Sequence, residues 1–429
     1  VSRHPVAGFR DAERRFAATF GDMRQARRWW VPGRIELLGK HVDYGGGRSL
    51  LTAVDRGFHV IARPRTDHHV HLVDARTGVR FDAALDASIP TRPGHWTNYP
   101  LTVLRRVARD FPAARSGADM VVASSLPSAA GLSSSSALVI ATFLPIAAIN
   151  NLPASPEWRA AIADDDALAG YLGALENGRA FGPFPGDFGV GTQGGSQDHT
   201  AILRCRLGEL AQYRFLPVRD EGRIPLPVGW CFVVAASGVI ASKGGAVQQQ
   251  YNALAAETAE LLELWRSHED PAAISLLSIL EGSSDAMDRL HQLIERHGSD
   301  PALLSARLGQ FHAECMEIIP AVASALRAND PAAAGDPVDR SQRLAETVLR
   351  NQVPETTALV ELARQQGAAA ASAFGAGFGG SVWAMVPETG ADEFAQGWRR
   401  RYLTLFPNRH SRGEIFVARS AAGAGEQLD

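Results

Sequence analysis

The stretch Gly33-Arg34-Ile35-Glu36-Leu37-Leu38-Gly39-Lys40-His41-Val42-Asp43-Tyr44-Gly45-Gly46-Gly47 sets Arg, Glu, Lys, His and Asp between glycines, directly after an apolar run. Loops of this kind present polar groups to a ligand from a rigid base. The lysine stands out. The 429 residues contain two, Lys40 and Lys243, in a chain whose cations are otherwise arginine. An arginine bias of that kind suits a GC-rich genome, which makes a retained lysine more informative.

Working outward, the length suits two or three domains, or one large two-lobed molecule. A hydrophobic content of 45% and a charged content of 21% are those of a globular chain. A net charge of -3 gives no sign of nucleic-acid binding. Cys205, Cys231 and Cys315 lie far apart and form no metal-ligand spacing, so they read as buried thiols of a reducing compartment. No apolar run is long enough to span a bilayer. Val1-Ser2-Arg3-His4-Pro5 lacks a signal-peptide core. The expectation is a cytoplasmic protein without nucleic-acid or membrane partners.

Period-2 and apolar runs predict strands at 58–63, 69–73, 119–124, 200–207, 230–236, 381–386 and 414–418. Helical spacing is predicted over 101–111, 133–149, 160–177, 246–268, 284–297, 301–328, 355–366 and 391–405. Mixed elements in the first half and a helical block before a final strand-helix-strand indicate an α+β chain. Proline and charge cluster at 218–227, where the lobe boundary is placed.

Two more glycine- or serine-rich segments follow such elements. Leu126-Pro127-Ser128-Ala129-Ala130-Gly131-Leu132-Ser133-Ser134-Ser135-Ser136-Ala137 joins a predicted strand to a predicted helix. A helix N-terminus offers unpaired N–H groups and a positive dipole end, and small side chains let a triphosphate approach them. The Gly-Lys-Ser/Thr ending of a Walker loop is missing, and a serine-rich N-cap is the plain structural reading. Phe374-Gly375-Ala376-Gly377-Phe378-Gly379-Gly380-Ser381 links a helix to a strand with four glycines, which permit positive φ and close backbone packing. Asp198, in Gly194-Gly195-Ser196-Gln197-Asp198-His199, is expected on a tight turn leading into a strand, where a lone carboxylate can act as a base.

Taken together, in this order from about residue 32 to 386, these segments resemble the signatures of galactokinases, within the GHMP group that includes homoserine, mevalonate and phosphomevalonate kinases. Trp96-Thr97-Asn98-Tyr99 is similar to the family's Trp-x-x-Tyr, and the segment from Lys243 to Tyr251 to one in which a basic residue precedes a sugar-contacting Tyr. The resemblance implies a two-lobed α+β fold with the active site in the cleft. The N-terminal lobe, 1–220, would be of ribosomal protein S5 domain 2-like type. The C-terminal lobe, 221–429, would be a ferredoxin-like α/β lobe with extra helices. It further implies ATP and Mg²⁺ as cofactors, a sugar or cyclitol as substrate, and a monomer or weak homodimer. The reaction would be phosphorylation of a hydroxyl, the anomeric one first.

The residue roles implied are these. Asp198 is the catalytic base and Arg34 its partner. Glu36, Lys40, His41, Asp43, Gly195 and Tyr251 bind the sugar. Ser128, Ala129, Ala130, Gly131, Leu132, Ser133, Ser134, Ser135 and Ser136 hold the phosphates, with Trp96 and Gly377 beside the nucleotide. Ser135 and Glu176 take Mg²⁺, which favours oxygen ligands. The segment between Glu176 and Asp198 is longer than in typical galactokinases and reads either as a lid or wall near the sugar or as a surface insertion.

The chain also departs from the family pattern Gly-Arg-x-Asn-x-x-Gly-Glu-His-Thr-Asp-Tyr. Glu36 replaces Asn and Lys40 replaces Glu; Ser372-Ala373-Phe374 replaces the usual Arg-x-Thr before the third glycine loop; His199 stands where Gln is usual. An ammonium in place of a carboxylate would suit a sugar with an anionic exocyclic group, a uronate or a phosphate. Glu36 and Lys40 forming a compensating ion pair, with neutral galactose still bound, is the other reading. A sensor that binds sugar and ATP without turnover belongs to a different class, as does a kinase of a non-sugar alcohol.

Overall fold

A computed structural model describes residues 6–92, 94–127, 131–239, 245–409 and 413–427. Ser128, Ala129, Ala130 and Lys243 lie outside these residues. The first sheet is built on two long strands. β1 (Arg27–Leu38) and β2 (Arg48–Pro64) pair antiparallel over most of their length. β2 is long enough to carry two further neighbours. Its start pairs with β6 (Glu209–Arg214) and its end with β5 (Ala118–Ser124). β3 (His69–Asp74) joins β5 in parallel and β4 (Arg80–Ala84) closes that edge, while β7 (Arg219–Pro225) pairs with β6.

The second sheet has four strands, β8 (Trp230–Ala236), β9 (Ala370–Ala373), β10 (Ser381–Pro387) and β11 (Ile415–Ala418), all antiparallel in the order β11-β8-β10-β9. Its strands are apolar on both faces, and the period-2 alternation shows why. Cys231, Val233 and Ala235 meet Leu359, Ala363, Trp398 and Tyr402 of helices Pro354–Gln365 and Ala391–Leu405. Phe232, Val234, Trp383 and Met385 on the other face join the core of the first sheet. A strand buried on both sides reads as a continuous apolar run. Helices Gly245–His268, Leu276–Gly282, Ala286–His297 and Pro301–His312 bury a separate core around Leu261, Leu290 and Phe311. The architecture is a two-lobed α+β fold.

Several expectations are corrected. Residues 200–207 do not form a strand: helix Gln197–Arg204 takes up 200–204, and 205–207 follow it outside any strand. Apolar Ala201 and Ile202, flanked by polar residues, fit a strand or one short helix face equally, and burial of Thr200, Ala201 and Ile202 against the first sheet decides for helix. The helix expected over 160–177 is two, Pro156–Ala161 and Asp165–Asn177, because Asp164 caps the second by accepting from the Ala167 N–H. The helix expected over 301–328 contains a π-helical turn, Ala313–Ile318. Pro320 follows it; its ring and missing N–H disrupt regular α bonding one turn back. The boundary expected at 220/221 falls inside β7, which the first sheet holds through Pro225. The chain also comes back at its end: β12 (Gly425–Gln427) pairs with β1. Among the described residues no helix is long and apolar enough to cross a membrane.

Candidate active site

The site begins with an irregularity in β1. The register between β1 and β2 shifts between Pro32 and Arg34, as a bulge does where a strand must re-aim a side chain. Arg34 is thereby brought to the phosphate loop: its backbone N–H donates to the Leu132 carbonyl at 3.2 Å and its Nη1 to the Gly131 carbonyl at 2.6 Å. Its Nε and Nη2 both lie 2.7 Å from Asp198 Oδ1. The Ser133 hydroxyl donates to the other oxygen, Asp198 Oδ2. Segments around residues 34, 133 and 198 therefore meet at one carboxylate. Burial pulls the Arg34 pKa down, and the charges of Asp198 and Glu36 more than offset it, so the guanidinium stays cationic.

Asp198 sits in the first turn of its helix, not on a turn into a strand. Ser133 is a non-glycine residue at φ 58, and Gly131 has φ 69. Both left-handed positions turn the chain into helix Ser134–Ile149. A Cβ on Gly131 would lie 2.9 Å from Phe374 of the third glycine loop, so glycine lets the two loops touch.

A polar recess opens on one side of Asp198. Arg34, Glu36, His41, Asp43, Glu176, Gly195, Asp198, His199 and Tyr251 line it. Asp43 Oδ2 accepts from the Gln197 backbone N–H at 3.3 Å, and a Cβ on Gly195 would fall 2.2 Å from that same oxygen. Burial, then the Asp198 charge, raises the Asp43 pKa. His41 has φ 55. Its Nδ1 lies 2.9 Å from Tyr44 Oη, and its ring 5.0 Å from that of Tyr251. Burial and the nearby Arg307 push the imidazole down to about 3, so it is neutral at pH 7. Burial, then the Asp43 charge, likewise keeps the Tyr251 phenol protonated.

On the other side lies a larger cleft of about 470 Å³, lined by Phe58, Trp96, Tyr99, Leu126, Leu138, Ser133, Ser134, Ser135, Gly377 and again Asp198 and Tyr251. Trp96 and Gly377, which the resemblance put beside the nucleotide, both line this cleft. Aromatic walls leading to a helix N-terminus suit a nucleobase and its phosphates. Ser135 lines this cleft, whereas Glu176 lines the recess, where Ser136 is its serine neighbour. His199 Nε2 lies 2.8 Å from Glu176 Oε2, at ion-pair distance though off the line of a hydrogen bond. His199, which stands where the family has Gln, is therefore a direct neighbour of the proposed metal ligand. Serine hydroxyls and a carboxylate form an oxygen donor set that fits Mg²⁺ arriving with phosphates and water.

Lys40 is the main correction at the site. It is 1% exposed and does not line the recess. Its Nζ donates to Ser341 Oγ and Ser372 Oγ, both at 2.8 Å. Burial lowers its pKa, opposed first by Glu314 and then by Glu36. Ser372 is one of the residues that depart from the usual Arg-x-Thr, so the two departures meet in space. Glu314 in the π-helical turn accepts from the Gly39 N–H at 2.8 Å and the Ser341 hydroxyl at 3.1 Å. The insertion after Glu176 is no lid: Phe184 is buried against Phe111 and Tyr171, and Asp187 pairs with Arg105 at 2.9 Å. Sequence reasoning missed Gln197, Ser49, Ser341 and Glu314. Only Gln197, adjacent to Asp198, carried a signal.

The fold and this site define a small-molecule kinase of the GHMP class. Three family models match: "Galactokinase galactose-binding signature" over residues 14–64, "GHMP kinases N terminal domain" over 98–173 and "GHMP kinases C terminal" over 322–403. A galactokinase of Chloroflexus aggregans is 30% identical over 376 residues, 85% of each chain. One of Roseiflexus sp. is 27% identical over 402 residues, 93% of this chain and 92% of its own. The structure of Lactococcus lactis galactokinase complexed with galactose superposes with a TM-score of 0.79 at 22% identity, covering 97% and 98% of the two chains. Methanococcus jannaschii mevalonate kinase gives 0.52 at 13% identity, covering 92% and 98%. The chain belongs to the galactokinase family and is an ATP-dependent sugar kinase.

Proposed function

We propose that this kinase transfers the γ-phosphoryl group of ATP to the anomeric hydroxyl of a neutral, galactose-type hexose, in the cytoplasm where ATP is made. The observation that carries this reading is the position of Asp198, held by Arg34 and Ser133 between the polar recess and the nucleotide cleft. The sugar hydroxyl gives its proton to the Asp198 carboxylate. Its oxygen bonds to the γ-phosphorus as the bond to the ADP oxygen breaks. Arg34 keeps Asp198 ionised and faces the charge that develops. N–H groups at the start of helix Ser134–Ile149 receive the phosphates. Ser135 and Glu176 would hold Mg²⁺, which would supply charge neutralisation for the phosphates. His41, Asp43, Gly195 and Tyr251 orient the sugar, and Trp96 flanks the base.

The anionic-substrate reading rested on Lys40, whose ammonium faces Ser341 and Ser372. The recess instead carries Glu36, Asp43, Glu176 and Asp198 against Arg34, and His41 is neutral, which favours a neutral sugar. Transfer of labelled phosphate from ATP to galactose, galacturonate, glucuronate and sugar phosphates tests the reading. Transfer to galactose that Asp198→Ala abolishes is the expected result. Binding of both ligands without transfer would make the chain a sensor, and preferential turnover of a uronate would overturn the neutral-sugar reading.

A further inference from the structure

Glu36 stands where the family pattern has Asn; the resemblance places it among the sugar-binding residues, but the phosphoryl transfer described above gives it no task of its own. It alternates with Arg34 on β1, two residues apart and on the same face, and it lines the recess while only 4% exposed. One carboxyl oxygen, Oε2, accepts from Gln197 Nε2. That amide is itself fixed, because the Ser49 hydroxyl donates to its Oε1. The other carboxyl oxygen, Oε1, has no hydrogen-bond partner among the described residues. It lies against Gly375, another residue of the recess wall, so closely that a Cβ there would sit 2.1 Å away. Gly375 is thus a residue without a side chain where this carboxyl needs room. A buried oxygen left without a donor costs free energy unless a ligand supplies one.

Building on the sugar-kinase reading, we infer that Glu36 is a specificity-determining residue: its free oxygen accepts a hydrogen bond from a hydroxyl or amino group of the bound sugar. The Ser49–Gln197 pair holds the carboxyl in register for that contact, next to the reacting end marked by Arg34 and Asp198. In its ionised form, populated above a pH of about 7, it adds negative charge to the wall beside Asp198, so hexoses and amino-hexoses are taken and uronates turned away. Asparagine at this place would offer one neutral acceptor and no charge, and would discriminate less.

The test compares wild type with Glu36→Gln and Glu36→Asp on galactose, galactosamine and galacturonate. Equilibrium dialysis of labelled sugar without ATP gives a readout besides turnover. For Glu36→Gln, KM and Kd for galactose should rise about 3- to 10-fold, and for galactosamine by more, on the scale of one charge-assisted hydrogen bond. The change in kcat should be smaller, and galacturonate should bind better than it does to wild type. Glu36→Asp, which keeps the charge, should retain the galactosamine-over-galacturonate order even if Glu36→Gln folds poorly. Unchanged sugar affinities in both variants, with wild type phosphorylating galactose, would overturn this inference and leave the kinase reading standing. No transfer by wild type to any sugar would overturn both.

Discussion

Asp198 is engaged on both oxygens, by Arg34 and by Ser133, so its replacement removes a base and unhooks two partners. Asp198→Asn is expected to lower kcat by about 10³-fold or more, while Ser133→Ala costs about tenfold; rapid-quench measurement of labelled product checks both. Glu36 makes a second prediction of a different kind. Burial raises its pKa from 4.5 to about 7, against the pull of Arg34 and Lys40 and with the push of Asp198 and Asp43. The folded state therefore keeps this proton to higher pH than the unfolded chain does. Its contribution to stability is complete below pH 4.5 and lost as pH rises through 7. The loss is of the order of roughly 3 kcal/mol. Urea denaturation at pH 5 and pH 8 should show wild type losing stability relative to Glu36→Gln. A difference between the two that does not change with pH would show that Glu36 does not titrate in this range.

Elements explain why these residues converge. β1 needs its bulge at Pro32 to Arg34 for the guanidinium to reach both the phosphate loop and Asp198. Helix Gln197–Arg204 presents Gln197 and Asp198 from its first turn, and the loop before it must come close enough for the Gln197 N–H to reach Asp43. Gly195 permits that approach. Gly195→Ala would set a methyl 2.2 Å from Asp43 Oδ2, so Asp43 must move. We expect KM for the sugar to rise about tenfold, with a smaller change in KM for ATP, measured by initial rates with each substrate varied. Equal effects on both substrates would place the disturbance beyond the sugar recess. This helix was read as a strand because four to eight apolar-leaning residues have no distinguishing period.

At the scale of the molecule, Lys40 belongs to the joint between the lobes. Its loop follows β1 of the first sheet, while its partners come from helix Gly335–Thr347, from β9 and, through Ser341, from the π-helical turn. The ammonium is buried and its nearest opposing charge, Glu314, is fully buried as well. Removing one member leaves the other without compensation. Lys40→Met is expected to cost about 3–5 kcal/mol of stability, read as a shift of the urea midpoint. A Lys40→Met protein of wild-type stability but altered sugar preference would return this residue to the sugar recess.

The sequence by itself determined the α+β class, most of the second-sheet strands and helices, and the three glycine- and serine-rich loops. These follow from local periodicity, from glycine positions and from motif order, all of which are written along the chain. Only the tertiary structure decided where Lys40 points, which oxygen of Glu36 is free, that Ser133 reaches Asp198, and that β12 returns to β1. Each of those depends on segments separated by up to hundreds of residues. Burial and hydrogen-bond satisfaction at such contacts are properties of the packed whole: a lysine in a polar loop has the same local signal whether its ammonium faces a ligand or two buried serines.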